Sequence, residues 1–282
     1  LGQPSGTRAN VLWFDPVEIA LGRLTRLALP SRRRIEPLGV LLFTYLRLKL
    51  ALRAGGFDAD FHAYDWRKSV AEAGRLLAAR IAAEGRTPVH LVAHSMGGLV
   101  ARALLPHREA ASLGRVIQLG TPNRGAFAAM QALRGTYPLV RRLARLDLAH
   151  GPEELARKVF VTLPGIAELL PLAADCVDFD PHAARRWPAG PRPAAALLAA
   201  ALDARRALPD PDERFVLVAG VGRETITGLR LHEGRLELRR GPEGDGTVPL
   251  ALARVPGLPT WYSGAEHGRL PGSRLHRGCR RG

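Results

Sequence analysis

Ser95 stands in Ala93-His94-Ser95-Met96-Gly97, directly after the apolar run Val89–Ala93 and ahead of an apolar helical pattern that opens with Gly97 and Gly98. This is a G-x-S-x-G pattern with Ala in its first position, and its setting between a strand and a helix gives it weight. A serine on a sharp strand-to-helix turn occupies strained backbone, and small residues two positions to either side keep neighbouring elements from colliding. The start of the helix offers the Met96 backbone N–H to a developing oxyanion. A serine that only caps a helix is the competing reading; the strand before it and the glycines after it favour the nucleophile.

A serine hydroxyl is a poor nucleophile until a histidine takes its proton and a carboxylate orients that histidine. Downstream, the sequence offers Gly244-Asp245-Gly246-Thr247-Val248-Pro249 and then Glu266-His267-Gly268. Asp245, between two glycines, reads either as an ordinary Asp-Gly turn or as a short carboxylate held on a rigid loop. The strand-like Thr260–Ser263 and His267 that follow select the second reading, with Glu266 the reserve acid. Among other histidines, His94 is expected to point to the far side of the strand, His232 lies at a hairpin turn, and His276 is in the tail.

These residues need a scaffold that brings distant loops to one rim, and the hydrophobic pattern supplies one. Helical and strand-length runs alternate from Val40 to Leu119: a helix over Val40–Ala54, a strand over Asp58–Tyr64, a helix over Val70–Glu84, then Val89–Ala93, Met96–Leu105 and Arg115–Leu119. This alternation indicates an α/β fold with a mostly parallel sheet flanked by helices. Over residues 126–213 it stops, and short amphipathic patches, Leu139–Leu148 and Glu153–Phe160, are separated by Pro and Gly, as in a helical insertion. It resumes with Arg214–Gly220, a polar hairpin at Ile226–Leu231 and Arg235–Arg239, and Thr260–Ser263. Residues 1–125 and 214–267 are thus expected to form the core, 126–213 a helical cap, and 268–282, basic and Gly-rich, a disordered tail.

Composition narrows the function classes. At 282 residues and 46% hydrophobic, the chain can bury a large core in one domain. No apolar run approaches the roughly 20 residues of a membrane span. The first residues do not read as a secretory leader, so a cytoplasmic location is the expectation. Two cysteines, Cys176 and Cys279, make no disulfide framework or zinc site. The net charge of +15 is carried almost wholly by arginine and would attract phosphates, but it reads first as a solvated basic surface. No specific nucleic acid is expected, and oligomeric state is not legible.

Together, Tyr64-Asp65-Trp66-Arg67, Ala93-His-Ser-Met-Gly-Gly98, Leu119-Gly-Thr-Pro-Asn123, Gly244-Asp-Gly-Thr-Val-Pro249 and His267-Gly268 resemble, in order, the lipase-like α/β-hydrolases of the lecithin:cholesterol acyltransferase family. The resemblance implies acyl-ester chemistry on lipid-like substrates without metal or organic cofactor, and a helical cap over an acyl-binding pocket. Relatives begin with a strand and a Pro-Gly-x-x-Gly-Ser loop that supplies a second oxyanion N–H; this sequence opens at Leu1-Gly2, and that strand and loop are expected to be missing. The basic tail stands where a closing helix is expected. Hydrolysis through Ser95, His267 and Asp245, with Met96 N–H as one oxyanion donor, is the simplest reading. Acyl transfer by the same residues, or an inactive fold that binds membranes or nucleic acid, are the alternatives.

Three further features have two readings each. Trp66 is placed to line the acyl pocket or, equally, belongs to a structural turn in which Asp65 and Arg67 pair. Arg141, Arg142 and Arg145 beside Leu139, Leu143, Leu146 and Leu148 form a basic amphipathic pattern of the kind that makes peripheral contact with an anionic membrane. More commonly such a helix packs on its own domain. Asp178-Phe-Asp-Pro-His182 reads as an acidic surface loop rather than a metal site.

Overall fold

The computed structural model describes residues 1–3, 10–13, 15–31, 33–176, 178–273 and 276–277. The chain begins with a short antiparallel ladder, β1 (Gly2–Gln3) and β2 (Asn10–Val11). Next comes α1 (Pro16–Ala20), started by Asp15, whose carboxylate accepts from the N–H groups of Val17 and Glu18.

Two longer helices follow before the central sheet. α2 (Leu42–Ala54) buries none of its residues. α3 (Val70–Glu84) has the predicted bounds: Ser69 caps it by accepting from Glu72 N–H, and Gly85, left-handed at φ 62°, ends it. Its apolar face of Val70, Ala73, Leu77, Ala78 and Ile81 is buried. At Gly74 a Cβ would lie 2.6 Å from that of Ala103, so the glycine is what lets this helix approach its neighbour. That neighbour, α4 (Met96–Ala103), follows β3 (Val89–His94), and β4 (Leu113–Leu119) comes next.

Residues 126–213 contain α5 (Phe127–Leu133), α6 (Pro138–Leu146), α7 (Pro152–Lys158), α8 (Pro164–Ala167) and α9 (Ala195–Ala207), joined by turns and short 3-10 segments. β5 (Phe215–Gly220), the hairpin β6 (Thr225–His232) and β7 (Arg235–Gly241), α10 (Leu250–Ala253) and β8 (Thr260–Ser263) complete the core elements. The main sheet has the order β3-β4-β5-β8, all parallel, with the two-residue β9 (His276–Arg277) antiparallel at the β8 edge. The β6–β7 hairpin is a separate two-stranded sheet. β5 is a continuous apolar run because a strand inside a parallel sheet is covered on both faces.

Two expectations are corrected. Asp58–Tyr64 is extended but is not a strand, and β3 is the sheet edge on that side. Two carbonyls of this segment accept from side chains: Arg53 Nε–H donates to Ala59 O at 3.0 Å and the Arg80 guanidinium to Phe61 O. The second correction concerns the tail. His267–Gly272 is a 3-10 turn that buries Leu270 and Pro271, and β9 pairs with β8, so part of the stretch expected to be disordered is built into the fold. The remainder, including Cys279, lies outside the described residues.

Candidate active site

The end of β3 is where the strained residue sits. Ser95 has φ 55° and ψ −127°, a conformation that side chains rarely adopt. Its N–H donates to Leu119 O at 2.8 Å and its carbonyl accepts from Gly98 N–H at 3.0 Å, so the turn is tied to β4 on one side and to the first turn of α4 on the other. The small residue that this geometry demands most is not the one the pentapeptide pattern singles out. A Cβ at Gly97 would meet only ordinary contacts, 3.8 Å from Tyr64 Oη and 3.9 Å from Ala93 Cβ. One at Gly98 would stand 1.9 Å from Thr121 Oγ1. Gly98 lets the helix start press against the loop after β4.

That loop is held from below by buried polar groups. Asn123 Nδ2 donates to Gln118 Oε1 and to Ala253 O, both at 2.9 Å, and Gln118 Nε2 donates to Gly98 O at 2.9 Å. Arg102 adds a bond from Nη1 to Asn123 O at 3.1 Å. These bonds tie α4, β4 and the end of α10 together through Asn123 and Gln118.

The structure brings Ser95, His267 and Asp245 together. Ser95 Oγ lies 2.8 Å from His267 Nε2, and His267 Nδ1 lies 2.7 Å from Asp245 Oδ2. Asp245 is 2% exposed, and its other oxygen accepts the N–H groups of Val248 at 2.7 Å and Thr247 at 2.9 Å. Burial alone would raise its pKa. The hydrogen bond and charge of His267, with those two N–H groups, outweigh burial and hold the carboxyl below its ordinary value. An ionised Asp245 can only accept, so Nδ1–H of His267 donates to it, and Nε2 faces Ser95 Oγ. Backbone bonds support the arrangement: His267 N–H donates to Asp245 O at 2.8 Å. Gly120, left-handed at φ 58°, lies so close that a Cβ there would be 2.9 Å from Asp245 Oδ2 and 3.1 Å from His267 Nδ1.

Other candidates sort as follows. Met96 is the first residue of α4 and buried, so its N–H has no carbonyl one turn back within the helix to bond. Glu266 is exposed and lies 3.9 Å from Arg269, away from the His267 ring. His232 faces Glu237 across the exposed hairpin. Trp66 packs against Trp13 with ring centroids 4.8 Å apart and planes tilted by 52°, and it lies between two core clusters. Its neighbours form the structural pair: Arg67, 2% exposed, makes two bonds to Asp65, Nη2 to Oδ2 at 2.7 Å and Nε to Oδ1 at 2.9 Å, and also reaches Leu27 O and Ile35 O. Among the described residues no group of three or more His, Cys, Asp or Glu side chains could hold a metal.

One supporting residue eluded the sequence reading. His94 does not turn away from the site: its ring centroid is 4.8 Å from that of His267, and its Nε2 is 2.9 Å from His267 O. A carbonyl only accepts, so Nε2 carries the proton, and Nδ1 accepts from Tyr45 Oη at 2.8 Å. Burial, followed by the positive potential of His267, pushes the pKa of His94 down to about 3, so the ring is neutral and fixed as a strut under the His267 backbone. An apolar strand ending in a histidine next to the serine was the available signal. The partner on α2, 49 residues earlier, was not legible.

Comparison with known proteins bears on the family resemblance and the fold. The family model for lecithin:cholesterol acyltransferase matches residues 51–149, the part that holds α3, β3, Ser95 and β4. The fold is that of an α/β-hydrolase, and over these residues the chain resembles the lecithin:cholesterol acyltransferase family. A chain in the crystal structure of the Tle4–Tli4 complex superposes with a TM-score of 0.56 at 17% identity, over 94% of this chain and 78% of that chain. The mature form of the Bacillus licheniformis lipase BlEst2 aligns with a TM-score of 0.40 at 18% identity, over 72% of this chain and 69% of that chain. No curated protein matches the chain.

Proposed function

We propose that the protein is a serine hydrolase of carboxylic esters of lipid-like substrates, working through an acyl-enzyme. The observation that carries this reading is the unbroken line of hydrogen bonds from Ser95 Oγ through His267 to Asp245, at 2.8 and 2.7 Å, on a serine held in strained backbone at a strand end. Ser95 Oγ attacks the ester carbonyl carbon while its proton passes to His267 Nε2. Asp245 stabilises the imidazolium through Nδ1–H, and Met96 N–H at the start of α4 donates to the oxyanion. The intermediate collapses by expelling the alcohol, which takes the proton from His267. Water, deprotonated by the same nitrogen, then attacks the acyl carbon and releases the acid with Ser95 restored.

Residues 126–213 are assigned as the cap, and Trp66 to the wall between the core and this cap. The tight contact of Gly165 in α8 with Trp66 O, where a Cβ would come within 2.2 Å, supports that placement. Labelling with a fluorophosphonate tests the reading: wild type reacts covalently and Ser95→Ala does not. Equal labelling of both, or none of wild type, overturns it. Product analysis with a long-chain ester, in water and with added alcohol, separates hydrolysis from acyl transfer.

A further inference from the structure

The face that carries α6 has two properties that the triad does not use. α6 buries Val140 and Leu143 and turns Arg141, Arg142, Arg145 and Leu146 to solvent. Between it and the β6–β7 hairpin lies an open cleft of about 950 Å³ lined by Arg134, Arg141, Arg142, Arg145, Arg235 and Arg240, with no acidic residue among its lining. Arg134 is occupied by the carbonyls of Pro188, Ala189 and Pro191, and Arg240 by Glu224. Arg141, Arg142, Arg145 and Arg235 have no carboxylate within 4.0 Å among the described residues, so the cleft is a concentration of uncompensated positive charge.

Beside this charge lies exposed apolar surface. α1 packs against the end of α6: Leu148 N–H donates to Ala20 O at 3.3 Å, and a Cβ on Gly22 would stand 2.8 Å from Ala149 Cβ. That junction gathers four large apolar side chains in solvent, Val17 (65% exposed), Leu21 (55%), Leu146 (52%) and Leu148 (87%). Four such side chains exposed at one junction call for a partner of matching chemistry. Nucleic acid would use the arginines and leave the leucines in water. A bilayer with anionic headgroups takes both, phosphates against the guanidinium groups and acyl chains around the leucines.

The face is also placed to matter. Tyr137, which precedes α6, lies with its hydroxyl 3.3 Å from Thr247 Oγ1, and the N–H of Thr247 is bonded to Asp245. We propose that the α1–α6 junction and its arginine cleft form the surface by which the protein docks on an anionic phospholipid bilayer, next to the loop of the candidate catalytic acid. The inference rests on the ester-hydrolase reading for the meaning of that placement and deepens it by naming where the substrate is met.

The test is vesicle co-sedimentation with full-length Ser95→Ala protein, which cannot digest the vesicles, while fluorophosphonate labelling of wild type reports the triad separately. Phosphatidylcholine vesicles containing phosphatidylglycerol should bind at least tenfold more tightly than phosphatidylcholine alone. Arg141→Glu/Arg142→Glu/Arg145→Glu should weaken that binding about a hundredfold at low salt, near fivefold per arginine. The matching triple Lys variant should stay within about threefold, since it keeps the charge. Leu146→Ser/Leu148→Ser should weaken binding about tenfold even in high salt. Equal binding to neutral vesicles overturns the proposal, as does loss in the Lys variant, which would assign the effect to structure. Duplex DNA binding that matches vesicle binding, with no effect of the leucine changes, overturns it in favour of nucleic acid.

Discussion

Asp245→Asn should cost about 10⁴-fold in kcat while leaving the fold nearly unchanged, and the reason lies in which atoms surround the carboxylate. Oδ1 accepts two backbone N–H groups, from Val248 at 2.7 Å and Thr247 at 2.9 Å, and Oδ2 accepts Nδ1–H of His267 at 2.7 Å. An asparagine has one oxygen for these three donors. If the oxygen turns to His267, two buried N–H groups lose their acceptor and face an NH₂, at about 1–3 kcal/mol each. If the oxygen keeps the two N–H groups, the NH₂ faces Nδ1, and His267 adopts the tautomer with its proton on Nε2. That second arrangement satisfies every group and is the one expected.

It also points an N–H at Ser95 Oγ, which removes the acceptor for the serine proton and the negative charge that stabilises the imidazolium. A factor of 10⁴ corresponds to about 5.5 kcal/mol of barrier. The assay is the initial rate on a soluble p-nitrophenyl ester, with the rate of fluorophosphonate labelling measured in parallel and thermal melting as a check on folding. A loss below tenfold in both rates, with folding intact, would refute the claim that Asp245 sets the tautomer of His267.

Three other perturbations probe the supports. His94 has a folded pKa of about 3 against an ordinary value near 6.5. Above pH 6.5 both folded and unfolded forms are neutral, and as pH falls from there towards 3 only the unfolded chain takes up the proton. Stability therefore drops by about 1.4 kcal/mol per pH unit across that window, and His94→Gln should remove this slope in urea titrations at successive pH values. Gly98→Ala, which sets a Cβ 1.9 Å from Thr121 Oγ1, should lower stability by about 1–3 kcal/mol and ester hydrolysis at least tenfold, whereas Gly97→Ala should be tolerated; urea midpoints and initial rates compare the two. Arg67→Met strands the buried Asp65 carboxylate without its partner and should cost about 3–5 kcal/mol in urea unfolding.

Local pattern was enough for the elements whose boundaries depend on neighbours in sequence. α3 runs from Ser69 to Gly85 because a capping hydroxyl and a left-handed glycine mark its ends, and β8 and the β6–β7 hairpin follow from β-branched or alternating runs around turns. Asp58–Tyr64 has the same strand-like composition, yet a strand needs a ladder partner, and arginines on α2 and α3 supply the bonds instead. Likewise, G-x-S-x-G spacing identifies the serine but ranks the wrong glycine, because the clash at Gly98 comes from Thr121, a residue of the next strand's loop.

The α/β class and the mostly parallel sheet were readable, and turn chemistry singled out Ser95, Asp245 and His267 as candidates. Their separation of 2.7–2.8 Å was not, nor the Tyr45–His94 strut behind His267, nor the meeting of α1 with α6 that gathers Leu21 and Leu148. Propensity and hydrophobic period act over a few residues and choose the kind of element. Which loops face each other is decided by strand order and by packing between residues far apart in the chain, such as Ser95 and His267, 172 positions apart, and that information exists only once the chain has closed on itself.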